Sequence, residues 1–461
     1  MVRTRVVITG LAPLSAIGTG REAFWSALCD GRANLGPNAR FDASGFPCRL
    51  AGVIEDIPAR DAVPKSYRKA TKIMARDSEL AVVAAQLAAA DAGLRTRGSG
   101  EAALRPVGGD AFGLTGGRLG CQIGAGLLAA DTDELGRAFQ TAAREGDPES
   151  FDPRRWGSAA GGEGAIQNLQ PLWMLKYLPN MLACHVTIIH GAEGASNTIT
   201  CAESSGLLSL GESARVIERG DADACFSGGL ESKLNPTGLA RLSVAGRLAE
   251  TGDARDGSRV TRPFDPASPG AIPGEGGALA ILESAPHAAA RGARVHAEVL
   301  GFGAGHSPPP HFPGLFAPED AAPEADLGLV RAINAALRDA GAEPSAIDAI
   351  APTAFGLPAV DGPEAGALAQ VFGDRLPSIP LITPATAAGA CSAGHGALAA
   401  AAAALALAHQ RLPARLQHGS PDPRLLAGPA AAADAELRRV LVCSIGLGGQ
   451  CAALVLGRAE S

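Results

Sequence analysis

The chain alternates short apolar runs with helix-like stretches, and many of these segments end on glycine. In the first half, strand-like runs at residues 5–9 and 119–123 lead into glycine turns, and an alanine-rich amphipathic stretch at 77–93 predicts a helix closed by glycine. Strands that alternate with helices predict a layered α/β architecture. The second half repeats the alternation, which predicts two duplicated βα halves.

The same patterns locate the remaining elements. Further strands are predicted at residues 186–189, 197–200, 224–228, 278–283, 295–302, 347–351, 440–443 and 452–456, and further helices at 21–29, 204–220, 325–341, 363–371 and 396–410. Two segments rich in turn-forming residues, 147–164 and 307–323, are predicted surface loops.

Length and composition restrict the class of protein. The 461 residues exceed one ordinary domain of about 100–200 residues, so we expect an N-terminal half at 1–250 and a C-terminal half at 251–461. A net charge of −7 without a basic stripe argues against electrostatic binding to nucleic acid. Only 19% of residues are charged, which predicts an oligomer whose partner covers part of the apolar surface.

The cysteines and histidines indicate neither disulfides nor a metal. The 9 cysteines contain no CxxC pair, and the 9 histidines form no HExxH motif. We therefore expect free thiols in a reducing compartment, with no metal and no cofactor. The apolar start at 6–17 is broken by Gly10 and Pro13, and the alanine-rich run at 396–408 is too short to span a bilayer. These features predict a cytoplasmic protein without a membrane segment, and the preference for arginine over lysine indicates a bacterial source.

Residues 194–206 form the strongest candidate site in the sequence. They predict a strand, a polar elbow and the start of a helix. Free backbone N–H groups and the macrodipole favour negative charge at a helix N-terminus, and acyl-transfer nucleophiles with their oxyanion holes are often built in this way.

This segment belongs to an ordered series of motifs. Together they make the chain similar to the β-ketoacyl synthases of the thiolase superfamily, from about residue 5 to residue 456. The resemblance implies a thiolase-like fold, in which the duplicated halves form an αβαβα layered sandwich. The motifs that carry it are VVITGL at 6–11, FWSAL at 24–28, GASNTITCAESSG at 194–206, DADACFSGG at 221–229, RPFD at 262–265, GEG at 274–276, AARG at 289–292 and SIGLGG at 444–449.

Members of that family use a cysteine nucleophile, which becomes acylated, and two histidines that bind the malonyl thioester. The resemblance places Glu203 at the nucleophile position, and Thr353 and Ala390 at the histidine positions. A carboxylate cannot replace a thiolate that must form a transferable thioester. None of the three catalytic positions is therefore intact.

Two nearby residues imitate the missing groups. Cys201 lies two residues before Glu203, but its predicted strand position points it away from the elbow. His395 follows Gly394, as the second family histidine follows a glycine, but its spacing to the following helix predicts a helix-start residue.

The family includes a subclass without the condensing residues, the chain length factors or ketosynthase β subunits of type II polyketide synthases. The resemblance implies a heterodimer with an active ketosynthase α subunit, which receives the malonyl or polyketide chain on an acyl carrier protein. It places Leu127, Leu128 and Ile445 along the substrate tunnel, while ordinary core packing remains the alternative for Leu127. We expect an acyltransferase scaffold that is inactive alone, within a polyketide or fatty-acid synthase complex.

Two other readings stay open. The first is a malonyl-carrier-protein decarboxylase that makes a starter unit through Glu203. That reaction develops an enolate oxyanion, and the loss of both histidines would cost roughly 3–4 kcal/mol of barrier for each donor. The second is a structural paralogue with a different partner.

Overall fold

A computed structural model describes residues 3–99, 114–144, 146–157, 164–308 and 324–459. The helices are α1 (Arg21–Cys29), α2 (Ala59–Ala62), α3 (Arg76–Asp91), α4 (Thr132–Ala142), α5 (Pro153–Trp156), α6 (Trp173–Lys176), α7 (Met181–His190), α8 (Ser205–Glu218), α9 (Pro236–Val244), α10 (Ala285–Ala290), α11 (Leu327–Asp339), α12 (Pro358–Phe372), α13 (Ala385–Ala388) and α14 (His395–His409). The strands are β1 (Val6–Ser15), β2 (Gly18–Thr19), β3 (Gly36–Pro37), β4 (Leu50–Ala51), β5 (Leu119–Gly124), β6 (Ala143–Arg144), β7 (Asp147–Phe151), β8 (Ser196–Ile199), β9 (Ala224–Glu231), β10 (Gly276–Ser284), β11 (Ala297–His306), β12 (Ala349–Ala351), β13 (Arg411–Leu412), β14 (Ala433–Asp434), β15 (Arg439–Ile445) and β16 (Gln450–Gly457).

One mixed sheet runs through the molecule in the order β12-β15-β16-β11-β1-β10-β9-β5-β8. β1 and β11 pair antiparallel at its centre, and the strands on either side repeat the same pattern. β9 is parallel to β5 and antiparallel to β10 on one side, as β15 is parallel to β12 and antiparallel to β16 on the other. This repetition confirms the predicted duplication, while the boundary between residues 250 and 251 remains a prediction.

The helices and the two halves of the sheet form five layers. α3 and α7 cover the outer face of the first half of the sheet, and α11 and α12 cover the outer face of the second half. α8 and α14 lie between the two halves, in a core that both halves share. The predicted αβαβα sandwich is therefore confirmed, and α8 carries the candidate elbow into its centre.

Small residues allow α8 and α14 to approach closely. A Cβ atom on Gly206 would lie 2.9 Å from the carbonyl oxygen of Ala393 and 2.9 Å from the Cβ of Ala397. Alanines fill most of α14, and all residues from Gly396 to Leu407 are buried. Because interiors pack at nearly crystalline density, this contact leaves no room for a larger side chain.

Three segments were predicted as a strand or as loops, and the structure bears on each of them differently. Residues 186–189 were predicted as a strand but lie inside α7, because a short β-branched run is equally compatible with a buried helix when its apolar neighbours extend it. The predicted loop at 147–164 contains β7 and α5, which pack their aromatic side chains against α4. The predicted loop at 307–323 lies outside the described residues from 309 onward.

No helix in the described ranges is long and apolar enough to cross a membrane.

Candidate functional site

The elbow between β8 and α8 is a single short turn of 3-10 helix, Ala202–Ser204. Ala202 has a φ of +48°, a left-handed conformation that costs a non-glycine residue free energy. The Ser205 hydroxyl donates to the carbonyl of Ala202 and accepts from the backbone N–H of Cys201, which fixes the turn. Ser392 repeats this geometry with a φ of +45° before α14, so the two halves share the elbow as well as the strands.

Glu203 lies in this elbow with a buried carboxylate. Its Oε2 accepts a hydrogen bond from the backbone N–H of Leu447 at 2.8 Å. Its Oε1 lies 3.3 Å from Nη2 of Arg247, and both side chains are less than one-tenth exposed. The predicted nucleophile position is thus occupied by one half of a buried ion pair.

Arg247 is the functional residue that the sequence did not reveal. Its guanidinium is 4% exposed and lies 5.5 Å from the ring centroid of Phe355. Apart from the ion pair with Glu203, its nitrogens have no hydrogen-bond partner in the described part of the chain. Arg247 follows α9 in a stretch without a periodic pattern, so only the tertiary contact distinguishes it from the other arginines.

Thr353 lies close to the elbow and is held by its backbone. Its N–H donates to Oε1 of Glu364 at 2.7 Å, and its hydroxyl accepts from the N–H of Ile445 at 3.1 Å. Its carbonyl oxygen lies 2.8 Å from Nε2 of His395. Thr353 therefore offers no ring nitrogen at this predicted histidine position.

His395 is the first residue of α14, as predicted, but its ring enters the site. Burial lowers the pKa of His395 to about 4, so the ring is neutral at physiological pH. A neutral ring that donates from Nε2 to the Thr353 carbonyl presents an acceptor at Nδ1, and this atom has no hydrogen-bond partner among the described residues. The ring also packs against Phe355, with 4.4 Å between the centroids.

Ala390 lines a small cavity together with Glu203. Its backbone is tied on both sides, to Ile272 and Gly274, and only its methyl group faces the site. The cavity has a volume of about 20 Å³, which is room for about one water molecule. Its wall includes Glu203, Arg247, Leu248, Phe355, Ala390 and Ser392.

Cys201 is the cysteine next to the elbow in the sequence, two residues before Glu203. It lies after the end of β8, at the cap of the 3-10 turn, rather than within the strand as predicted. Burial raises the pKa of its thiol, which lowers the fraction of reactive thiolate. Among the described residues, no cluster of three or more histidine, cysteine or acidic side chains is placed to hold a metal.

The three predicted tunnel residues lie in different environments. Leu127 follows β5 and is 61% exposed, whereas Leu128 beside it is buried. Ile445 is buried at the end of β15, where its N–H contacts Thr353. The exposure of Leu127 is inconsistent with ordinary core packing within this chain.

A duplicated five-layer sandwich with an elbow at the start of each central helix defines the thiolase-like class of condensing enzymes. Residues 3–288 match the β-ketoacyl synthase N-terminal domain, and residues 316–418 match the β-ketoacyl synthase C-terminal domain. The chain belongs to the β-ketoacyl synthase family. This confirms the family and the fold that the motifs predicted.

Relatives of two kinds span the whole chain. The tetracenomycin polyketide synthase ketoacyl synthase beta subunit of Streptomyces glaucescens is 32% identical over 460 residues, covering 98% of both chains. The 3-oxoacyl-(acyl-carrier-protein) synthase 2 of Staphylococcus aureus strain N315 is 29% identical over 463 residues, covering 99% of both. Among solved structures, the ishigamide ketosynthase/chain length factor matches all of both chains with a TM-score of 0.78 and 28% identity.

Proposed function

We propose that this protein is a non-condensing ketosynthase-like subunit of the chain length factor kind. The observation that carries the proposal is the buried Glu203–Arg247 ion pair at the elbow. A carboxylate held by a guanidinium and a backbone N–H cannot form the thioester on which condensation depends. Thr353 has no ring nitrogen to donate to a thioester carbonyl, and Ala390 has no polar side-chain group.

The partner in this proposal is an active ketosynthase α subunit. Two exposed features suit a heterodimer. β8 is the edge strand of the main sheet in the described residues, and an unpaired edge is a ready template for another chain. Leu127 and Ile188 expose 61% and 51% of their surface, and a partner would cover them.

The chain then acts sterically. Leu127 projects from its own subunit, so in the heterodimer its side chain caps the tunnel in which the partner extends the chain. The substrate reaches the partner on an acyl carrier protein as a malonyl or polyketide thioester. No cofactor is required, because the contribution of this subunit is shape.

Co-expression with a cognate ketosynthase α subunit tests the proposal. We expect an obligate heterodimer in which Leu127→Phe shifts the products to shorter chains, because the larger ring fills part of the tunnel. Leu178→Phe serves as the control, since it enlarges an exposed leucine elsewhere. Unchanged product length across a series of bulky residues at Leu127 would remove the gating role, and efficient condensation by the isolated chain would refute the non-condensing one.

A second candidate function is decarboxylation of malonyl-carrier protein to make the starter unit. Arg247 favours it, because a buried guanidinium with unpaired N–H groups could stabilise an enolate oxyanion. The isolated chain would then release carbon dioxide from malonyl-carrier protein, and both Glu203→Gln and Arg247→Leu would abolish the release. No release by the unaltered chain would exclude this candidate.

A further inference from the structure

The segment that carries Leu127 has no regular secondary structure, yet its backbone is tightly held. Nζ of Lys233 donates to the carbonyl of Leu127 at 2.5 Å. Nη1 of Arg241 donates to the carbonyls of Leu127 at 3.2 Å and Leu128 at 3.1 Å. The next carbonyl, that of Ala129, accepts from Nδ2 of Asn235 at 2.8 Å. Three successive carbonyls of residues 127–129, called here the gate segment, are thus bound by side chains from one stretch, 233–241.

Buried charge anchors this arrangement to the core. Lys233 forms an ion pair with Glu231, and the Lys233 and Glu231 side chains are 10% and 1% exposed. The other oxygen of Glu231 accepts from the backbone N–H of Ala393, at the start of the second elbow, at 2.9 Å. Because an ammonium has three donors and no acceptor, Lys233 can bind Glu231 and the gate segment together.

Gly126 shows how closely the gate segment approaches this anchor. A Cβ atom at this position would lie 1.9 Å from Oε1 of Glu231, so the chain before Leu127 passes directly against the buried carboxylate. The result is a leucine side chain that is largely exposed on a backbone that is bound at successive residues. A side chain that selects by size must be held within a fraction of an ångström to do so.

We propose that Lys233 and Arg241 are positioning residues that fix the position of Leu127, and thereby make product length specific. This inference rests on the proposed function, because it concerns the same gate. The clamp can be tested apart from the gating role, because it consists of two cationic side chains bound to the carbonyls of the gate segment. Removal of the clamp should loosen the gate without changing the size of Leu127, so the products should spread over several lengths rather than shift to one.

Arg241→Met in the heterodimer is the first test, because Arg241 is exposed and its loss leaves no buried charge unpaired. We expect a broader distribution of product lengths, with heterodimer assembly and total turnover unchanged. Arg241→Lys retains a donor and should restore the narrow distribution in part. Arg259→Met is the matched control, since it removes an exposed arginine whose ion pair among the described residues is with Asp256 on its own turn.

Lys233→Met/Glu231→Gln removes the buried part of the clamp with both charges together, so that neither member of the ion pair is left without the other. Hydrogen exchange of the bonded amides that flank the gate segment, those of Ala125 and Asp131, gives a readout that does not depend on products. Both altered chains should exchange there about tenfold faster than the parent or the Arg259→Met control, because held backbone opens rarely.

The outcomes distinguish the positioning role of Lys233 and Arg241 from the gating role of Leu127. If exchange is faster but the products stay narrow while Leu127→Phe still shifts them, the positioning role is wrong and the gate stands. If exchange is unchanged, the clamp itself is refuted. If no substitution at Leu127 changes the products, the proposed function fails and the specificity role fails with it, whereas the exchange data still report whether the clamp holds the segment.

Discussion

At the scale of single residues, the site depends on how the buried carboxylate of Glu203 is stabilised by Arg247. The sequence places Glu203 at the elbow, because the motif around it is local and ordered. It does not place Arg247, whose contact with Glu203 joins segments that are distant along the chain. Because both side chains are buried, each charge of the pair needs the other.

The first prediction concerns this pair. Arg247→Leu should lower the free energy of unfolding by about 3–5 kcal/mol, because it leaves the Glu203 carboxylate buried without its cation. Arg247→Leu/Glu203→Leu should recover most of this loss, since two apolar side chains need no counter-charge. Denaturant unfolding of the four chains of the double-mutant cycle measures the coupling.

The control for that cycle is Arg438→Leu, which breaks a pair with Glu436 in which both side chains are mostly exposed. It should leave stability unchanged, because exposed ion pairs contribute little. Additive effects of Arg247→Leu and Glu203→Leu would contradict a coupled buried pair.

The second prediction concerns His395. Burial lowers its pKa from 6.5 to about 4, so the unfolded chain binds this proton more readily than the folded one between those pH values. The stability that this neutral ring contributes is complete above pH 6.5 and falls as the pH decreases toward 4, by at most about 3 kcal/mol.

His395→Gln should therefore lose less stability between pH 7 and pH 4 than the parent chain, while its side-chain amide can still donate to the Thr353 carbonyl. Urea unfolding at several pH values gives the comparison, and parallel curves for the parent and His395→Gln would show that the ring does not titrate as described.

At the scale of elements, the two central helices determine where the elbows lie. Their sequences predict helices directly, because the alanine and leucine content is high and glycines and serines mark the starts. Their mutual approach is a property of packing, and Gly206 is where it is closest. The wrong prediction of a strand at residues 186–189 also belongs to this scale, because a short apolar run fits a strand or a buried helix and its packed neighbours decide between them.

The third prediction tests that approach. Gly206→Ala should lower the free energy of unfolding by about 1–3 kcal/mol, because the added methyl group meets Ala393 and Ala397 at 2.9 Å. Gly136→Ala is the matched control in α4, where nothing lies within 4 Å of the new Cβ atom. It should be neutral or stabilising, since alanine favours helix more than glycine does. Equal thermal unfolding of both variants would argue against a tight α8–α14 contact.

At the scale of the whole molecule, the sheet continues through both halves and ends at β8. Under the proposed function, this edge strand and the exposed Leu127 belong to the surface that the ketosynthase α subunit covers. The backbone N–H of Thr198 donates to the Asn197 side chain rather than to β5, so it lies on the free side of the strand.

The fourth prediction uses that N–H. Thr198→Pro should weaken the heterodimer with the ketosynthase α subunit, because a proline on the free side removes a donor from the edge and places a ring there. Thr198→Val keeps the N–H and the branched shape, so it should assemble normally. Sedimentation of the co-expressed pair measures assembly, and a stable heterodimer with Thr198→Pro would mean that the partner does not pair with β8.

The sequence by itself determined the class of fold and the duplication, and it predicts the replacement of the catalytic residues. Each of these follows from local patterns, namely periodicity, glycine turns and ordered motifs, which the chain carries before it folds. Tertiary structure alone decided that Arg247 pairs with Glu203, that His395 turns into the site and that Lys233 and Arg241 bind the gate segment. Such contacts join residues far apart in the sequence, and they form because buried charges and polar groups must find partners once packing has removed water.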